Sequence, residues 1–180
     1  MATATASPRQ ERQGAHTLKG NPLTLIGPQL NVGDKAPEFA ALNQDFKPVK
    51  LSESAGRVRL ISVVPSLDTG ICDAQTKRFN EEAAKSPTVV ILTVSMDSPF
   101  TQKRWCGAAG VDKVQVLSDH RDRFFGPAYG VLIKELGVLA RSIFIVDKAG
   151  AIRYIEYVPE FASHPNYDAA LAELRKLANE

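Results

Sequence analysis

Two dense apolar runs punctuate the chain. The first, Val58-Arg59-Leu60-Ile61-Ser62-Val63-Val64, predicts a buried strand, centred on Leu60 to Val64. The second, Thr88-Val89-Val90-Ile91-Leu92-Thr93-Val94-Ser95, is continuous and β-branched, as in a strand covered on both faces. Between them lies a polar, helix-compatible stretch. It predicts a helix from Ile71 or Cys72 through Ala84 that ends before Pro87. A second helix is expected over Pro99 to Ala108, with Asp97 or Ser98 as its N-cap and Gly110 as its stop. Val114 to Leu117 predicts a short third strand, and Arg121 to Tyr129 a helix or helical turn. Ser142 to Val146 and Ile152 to Tyr157 flank Asp147-Lys148-Ala149-Gly150, which predicts a tight antiparallel hairpin. Ala170, Leu171, Leu174 and Leu177 share one face of a closing helix over Asn166 to Asn179.

Before the first dense run, His16 to Ile26 alternates around Gly20-Asn21, the pattern of a hairpin. Ala36-Pro37 keeps Asp34 to Ala41 extended. The resulting order, β-α-β-α-β-(α)-β-β-α, is that of an α/β domain: a mixed sheet with helices on both sides. No internal repeat or second linker is visible. One domain is expected over residues 16–180, preceded by a disordered or extraneous tail over 1–15, which is rich in Ala, Thr, Ser, Gln and Arg.

Composition changes this picture little. The 180 residues are 44% hydrophobic and 23% charged, ordinary for a soluble domain. A net charge of +2 gives no reason to expect nucleic-acid or membrane binding. No stretch approaches the ~18 apolar residues of a membrane span, and the N-terminus lacks the apolar segment of a secretory signal. The chain is therefore expected to be cytoplasmic.

Cysteine placement is more informative. Cys72 falls where the first strand gives way to a helix, so it belongs in the first helical turn. There, unpaired N–H groups and the positive end of the helix dipole stabilise a thiolate. Cys106 lies 34 positions on, near the end of the second helix. The chain has no Cys-x-x-Cys, and its three histidines are scattered. A zinc site and a disulfide-exchange enzyme are both disfavoured. On these observations Cys72 is either a nucleophile or a small buried hydrophobe. Thr69 either caps the helix or serves the sulfur.

The octet Pro65-Ser66-Leu67-Asp68-Thr69-Gly70-Ile71-Cys72 resembles the peroxidatic-cysteine motif of the peroxiredoxins, in particular of the thiol peroxidase subfamily, whose members are atypical two-cysteine enzymes. The resemblance covers residues 16 to 178. It extends through Leu18 to Thr24, Val32 to Pro37, Phe100 to Gly107, Ala128 to Val131 and Leu139 to Ser142. It implies a thioredoxin-like fold, which the element order also suits, and a thiol-dependent peroxidase without cofactor or metal. It implies that Cys72 attacks a peroxide to give a sulfenic acid, and that Cys106 resolves it as an intramolecular disulfide. It further implies that Thr69 orients sulfur and peroxide, that Pro65 shields the thiolate, and that Arg141 supplies a fixed cation. Thioredoxin or a similar dithiol would then reduce the disulfide. A homodimer is also implied. The alternatives are another peroxiredoxin subfamily with a different resolving position, and a thioredoxin-fold binding protein with inert cysteines. Asp68, an anion next to the site, is expected to point away. Two cysteines on helices rarely meet disulfide geometry, so the reduced form should hold them apart.

Overall fold

A computed structural model describes residues 9–180. The hairpin β1 (Glu11–Leu18) and β2 (Asn21–Ile26) comes first. A second, smaller hairpin follows: β3 (Ala40–Leu42) and β4 (Pro48–Lys50), leading into a short 3-10 turn at Leu51–Ser54. Then come β5 (Arg59–Val63), α1 (Gly70–Lys85), β6 (Val90–Ser95), α2 (Pro99–Ala109) and β7 (Gln115–Ser118). The chain continues through the single-turn α3 (Phe125–Ala128), β8 (Leu132–Ile133), the hairpin β9 (Ser142–Val146) and β10 (Ile152–Tyr157), and α4 (Tyr167–Ala178).

The main sheet has seven strands in the order β10-β9-β5-β6-β7-β3-β4. β5, β6 and β7 are parallel, and β9 runs antiparallel to β5. Every residue of β5, β6 and β9 is buried, which explains their near-continuous apolar sequences. Alternation along β5 sends its residues to two cores. Leu60 and Val64 join Phe79 of α1, Trp105 and Cys106 of α2, and Leu171 and Leu174 of α4. Ile61 and Val63 join Leu23 and Leu25 of β2 and Phe125 and Tyr129 around α3. The fold is thus the expected α/β domain on a mixed sheet, but the helices expected on both sides are unevenly shared: α1, α2 and α4 lie on one and the single-turn α3 on the other. Three helices cover one face; the β1–β2 hairpin, joined by β8 into a three-stranded sheet, covers much of the other.

The structure differs from the sequence expectations at several points. β1 starts at Glu11, inside the stretch expected as tail; residues 1–8 of that stretch lie outside the described residues. This part of β1 is polar and follows no alternation. Arg12 anchors it by donating to the carbonyls of Gly27 and Gly130. A register shift between Arg12 and His16, at Gly14 with φ +68°, hid the pattern further. The β3–β4 hairpin was not expected, because each strand is only three residues long. The helix expected over Arg121–Tyr129 shrinks to four residues, because the Asp119 carboxylate accepts from the N–H groups of Phe124, Phe125 and Gly126 and begins the turn there. The helix beginning near Cys72 starts slightly earlier, at Gly70.

Candidate active site

The parallel pair β5–β6 decides what meets what. The chain leaves the carboxyl end of β5 through Pro65 to Thr69 and enters α1. It leaves the carboxyl end of β6 through Met96 to Ser98 and enters α2. Because β9 pairs antiparallel with β5, Val63 opposite Ser142, Arg141 arrives at that same edge. Residues distant in sequence therefore converge at the carboxyl ends of parallel strands, where α/β sheets place their sites.

Cys72 is the third residue of α1 and fully buried. Thr69 occupies the N-cap position with extended backbone, but its side chain bonds no helix N–H. Its hydroxyl lies 2.7 Å from Cys72 Sγ and 3.1 Å from the Ser66 carbonyl oxygen. The capping role weighed for Thr69 is thus not the one its side chain adopts. Its single proton has two acceptors to choose between.

Arg141 is 1% exposed. Its Nη2 lies 3.4 Å from Cys72 Sγ and 3.4 Å from the Phe161 carbonyl oxygen, and its Nη1 donates to Gln75 Oε1 at 2.9 Å. Among the described residues, its buried Nε has no hydrogen-bond partner, and no carboxylate is a hydrogen-bond partner of Arg141. A guanidinium does not give up its proton, and a buried charge without an opposite one is costly. In its thiolate form, Cys72 supplies that opposite charge.

Gln75 was not among the residues expected in the site. It is fully buried one turn after Cys72 and donates from Nε2 to Ser62 Oγ at 2.8 Å, which turns its carbonyl oxygen toward Arg141. The i, i+3 spacing from Cys72 was the available signal. Pro65 is buried at the foot of the loop. Asp68 is exposed and faces outward to Arg104, 3.4 Å away.

Cys106 is 6% exposed on the last turn of α2, beside Trp105. Its carbonyl oxygen accepts the capping N–H of Gly110, whose left-handed conformation ends the helix as expected. Ser98 is the N-cap and accepts from Thr101 N. Burial pushes the Cys106 thiol up from its usual range, and the Gln44 side chain opposes that shift. Both cysteines are free, and they belong to the same apolar cluster. Among the described residues, no helix is long and apolar enough to cross a membrane.

Known proteins resemble the chain over most of its length. The Redoxin family model matches residues 31–171. The thiol peroxidase of Halalkalibacterium halodurans is 57% identical over 155 residues, 86% of this chain and 93% of that protein. That of Bacillus subtilis is 53% identical over 161 residues, 89% of this chain and 96% of that protein. Among solved structures, a peroxiredoxin-like protein from Aquifex aeolicus superposes with a TM-score of 0.86 at 43% identity. It covers 92% of this chain and 98% of its own.

Proposed function

The chain belongs to the redoxin family and is a thiol-dependent peroxidase of the thiol peroxidase type, and from that premise we propose how its residues divide the work. Cys72 is the peroxidatic cysteine. Its thiolate attacks one oxygen of a peroxide; an S–O bond forms as the O–O bond breaks. The sulfur becomes a sulfenic acid, and the departing oxygen takes up a proton to leave as water or an alcohol. Cys106 is the resolving cysteine. Its thiolate attacks the Cys72 sulfenic acid, a disulfide forms, and the sulfenic oxygen departs with a proton as water. A dithiol reductant restores both thiols; thioredoxin fits that role by resemblance to the subfamily.

The observation that carries this reading is the convergence of Thr69 Oγ1, at 2.7 Å, and Arg141 Nη2, at 3.4 Å, on one sulfur. Thr69 orients the reacting sulfur and peroxide. Arg141 balances the thiolate and then the charge growing on the departing oxygen. Pro65 walls the sulfur from water, which strengthens both interactions. The subfamily resemblance also supports a homodimer and a cytoplasmic location. The exposed Phe46 and Phe100, in edge-to-face contact, offer apolar surface for a second copy.

Intact mass after one equivalent of peroxide tests the assignment. The wild type should lose two hydrogens. Cys106→Ser should gain one oxygen and then a second on further exposure. Cys72→Ser should consume no peroxide. Near-full turnover by Cys72→Ser would overturn the reading. A covalently linked pair of chains as the wild-type product would overturn the intramolecular pairing.

A further inference from the structure

Asp97 is not needed where it stands as a helix cap, since Ser98 already caps α2. Its carboxylate turns instead to the loop before Cys72. Oδ1 accepts from Ser66 Oγ at 2.8 Å, and Oδ2 accepts from Leu67 N at 2.8 Å and from Ser95 Oγ at 2.8 Å. Ser95 Oγ in turn accepts from Gln102 Nε2 at 3.1 Å, and Gln102 is itself fixed to the Leu117 carbonyl at 2.8 Å. A carboxylate bonded to two consecutive residues of that loop calls for a role. The loop itself supplies one. The Ser66 carbonyl is the second acceptor within reach of the Thr69 hydroxyl, and it also takes the Thr69 N–H at 3.2 Å.

We propose that Asp97 is a positioning residue for peroxide reduction: by clamping Ser66 and Leu67 it fixes the Ser66 carbonyl, and with it the direction of the Thr69 hydroxyl. When Cys72 carries its proton, its S–H donates to Thr69 Oγ1 and Thr69 donates to the Ser66 carbonyl. When Cys72 is a thiolate, the Thr69 proton turns to the sulfur, and the Ser66 carbonyl keeps the Thr69 N–H. The carbonyl must sit within reach for the first state and release the hydroxyl for the second. Asp97 sets that distance through two bonds to consecutive residues. Charge-assisted acceptors of this kind hold their donors more tightly than neutral ones.

This inference rests on the assignment of Cys72 and Thr69 above, and the experiment separates the two. Stopped-flow oxidation by hydrogen peroxide, in single turnover across a pH series, resolves attack on peroxide from disulfide formation. Asp97→Asn and Ser66→Ala should slow attack by about tenfold, as small misplacements of reacting groups do, and alter its pH profile. Neither should slow disulfide formation. Ser66→Thr, which keeps the hydroxyl, should restore most of the attack rate. Folded Asp97→Asn and Ser66→Ala proteins whose attack rates stay within about twofold of wild type would overturn the proposal, as would equal slowing of both steps. If Asp97→Asn does not fold, Ser66→Ala and Ser66→Thr decide alone. Activity retained by Cys72→Ser would instead defeat the underlying assignment.

Discussion

At the scale of single residues, the two cysteines are in opposite situations. Cys72 lies at the start of a helix, against a cation and a hydroxyl; Cys106 lies at the end of one, in an apolar setting that raises its titration. On the proposed assignment, the nucleophile in disulfide formation is the Cys106 thiolate. Its population at neutral pH is small and grows as pH rises. The disulfide-forming step, read by stopped flow after a single peroxide addition, should therefore accelerate by about tenfold per pH unit while Cys106 remains mostly thiol. A rate independent of pH would mean that the opening that brings the two sulfurs together, and not ionisation of Cys106, limits the step. Thr69 and Arg141, which a motif can carry, were legible in the sequence as neighbours of Cys72. Gln75 was half legible, through its spacing on α1. Asp97 was not: its contact crosses between two loops 30 residues apart, and only strand order brings them together.

Among the elements, the β1–β2 hairpin has the least obvious attachment. Its turn is held from outside by Glu160, which follows β10. The carboxylate accepts from Thr17 Oγ1 at 2.6 Å, Lys19 N at 2.9 Å and Gly20 N at 3.3 Å. In return, Phe161 N donates to the Thr17 carbonyl, and the Phe161 carbonyl accepts from Arg141. The hairpin thus braces the segment that holds Arg141. These donors, the Thr17 hydroxyl foremost, lower the Glu160 carboxyl to about 2. A depressed carboxyl contributes stability above its ordinary value, and the contribution fades as pH falls toward the depressed one. Thermal midpoints of wild type and Glu160→Gln should accordingly differ at neutral pH, wild type higher. They should converge as pH drops from the ordinary 4.5 toward about 2. Equal midpoints at neutral pH would remove the clip from the account. The hairpin turn itself was legible from Gly20-Asn21. Its length was not, because Arg12 and the Gly14 irregularity, rather than alternating apolar residues, extend β1.

For the whole molecule, the cysteines were expected to sit on separate helices, and they do, in one apolar cluster and both free. Linking residues 72 and 106 closes a loop that would, by chain entropy alone, stabilise the fold by about 3–4 kcal/mol. Against this stands the loss of packing around Cys72, Trp105 and Cys106, all less than a tenth exposed. Helix ends open at modest cost, so the first turn of α1 and the last of α2 are the segments to yield. Urea unfolding should place the oxidised midpoint at or below the reduced one, with faster amide exchange over residues 70–75 and 102–108. An oxidised midpoint raised by the full entropic amount would show that no packing is lost. The global architecture was the most legible level. Fully buried strands announce themselves by composition, and the order of strands and helices suits few arrangements of a mixed sheet.

Among the described residues, none of the hydrogen-bond partners of Arg141 is a carboxylate, so within that set only a Cys72 thiolate balances its charge. The guanidinium is permanently positive, and its burial is tolerable while a thiolate faces it across 3.4 Å. Sulfenic acid and disulfide sulfur are both neutral. On the proposed assignment, each turn of the cycle removes the anion and leaves the buried guanidinium without an opposite charge among its hydrogen-bond partners. The closed arrangement becomes costly when Cys72 must travel to Cys106, and favourable again once reduction returns the negative charge. On that assignment the arginine would couple the redox state of one sulfur to the conformation around it: an electrostatic spring loaded by oxidation and relaxed by the reductant.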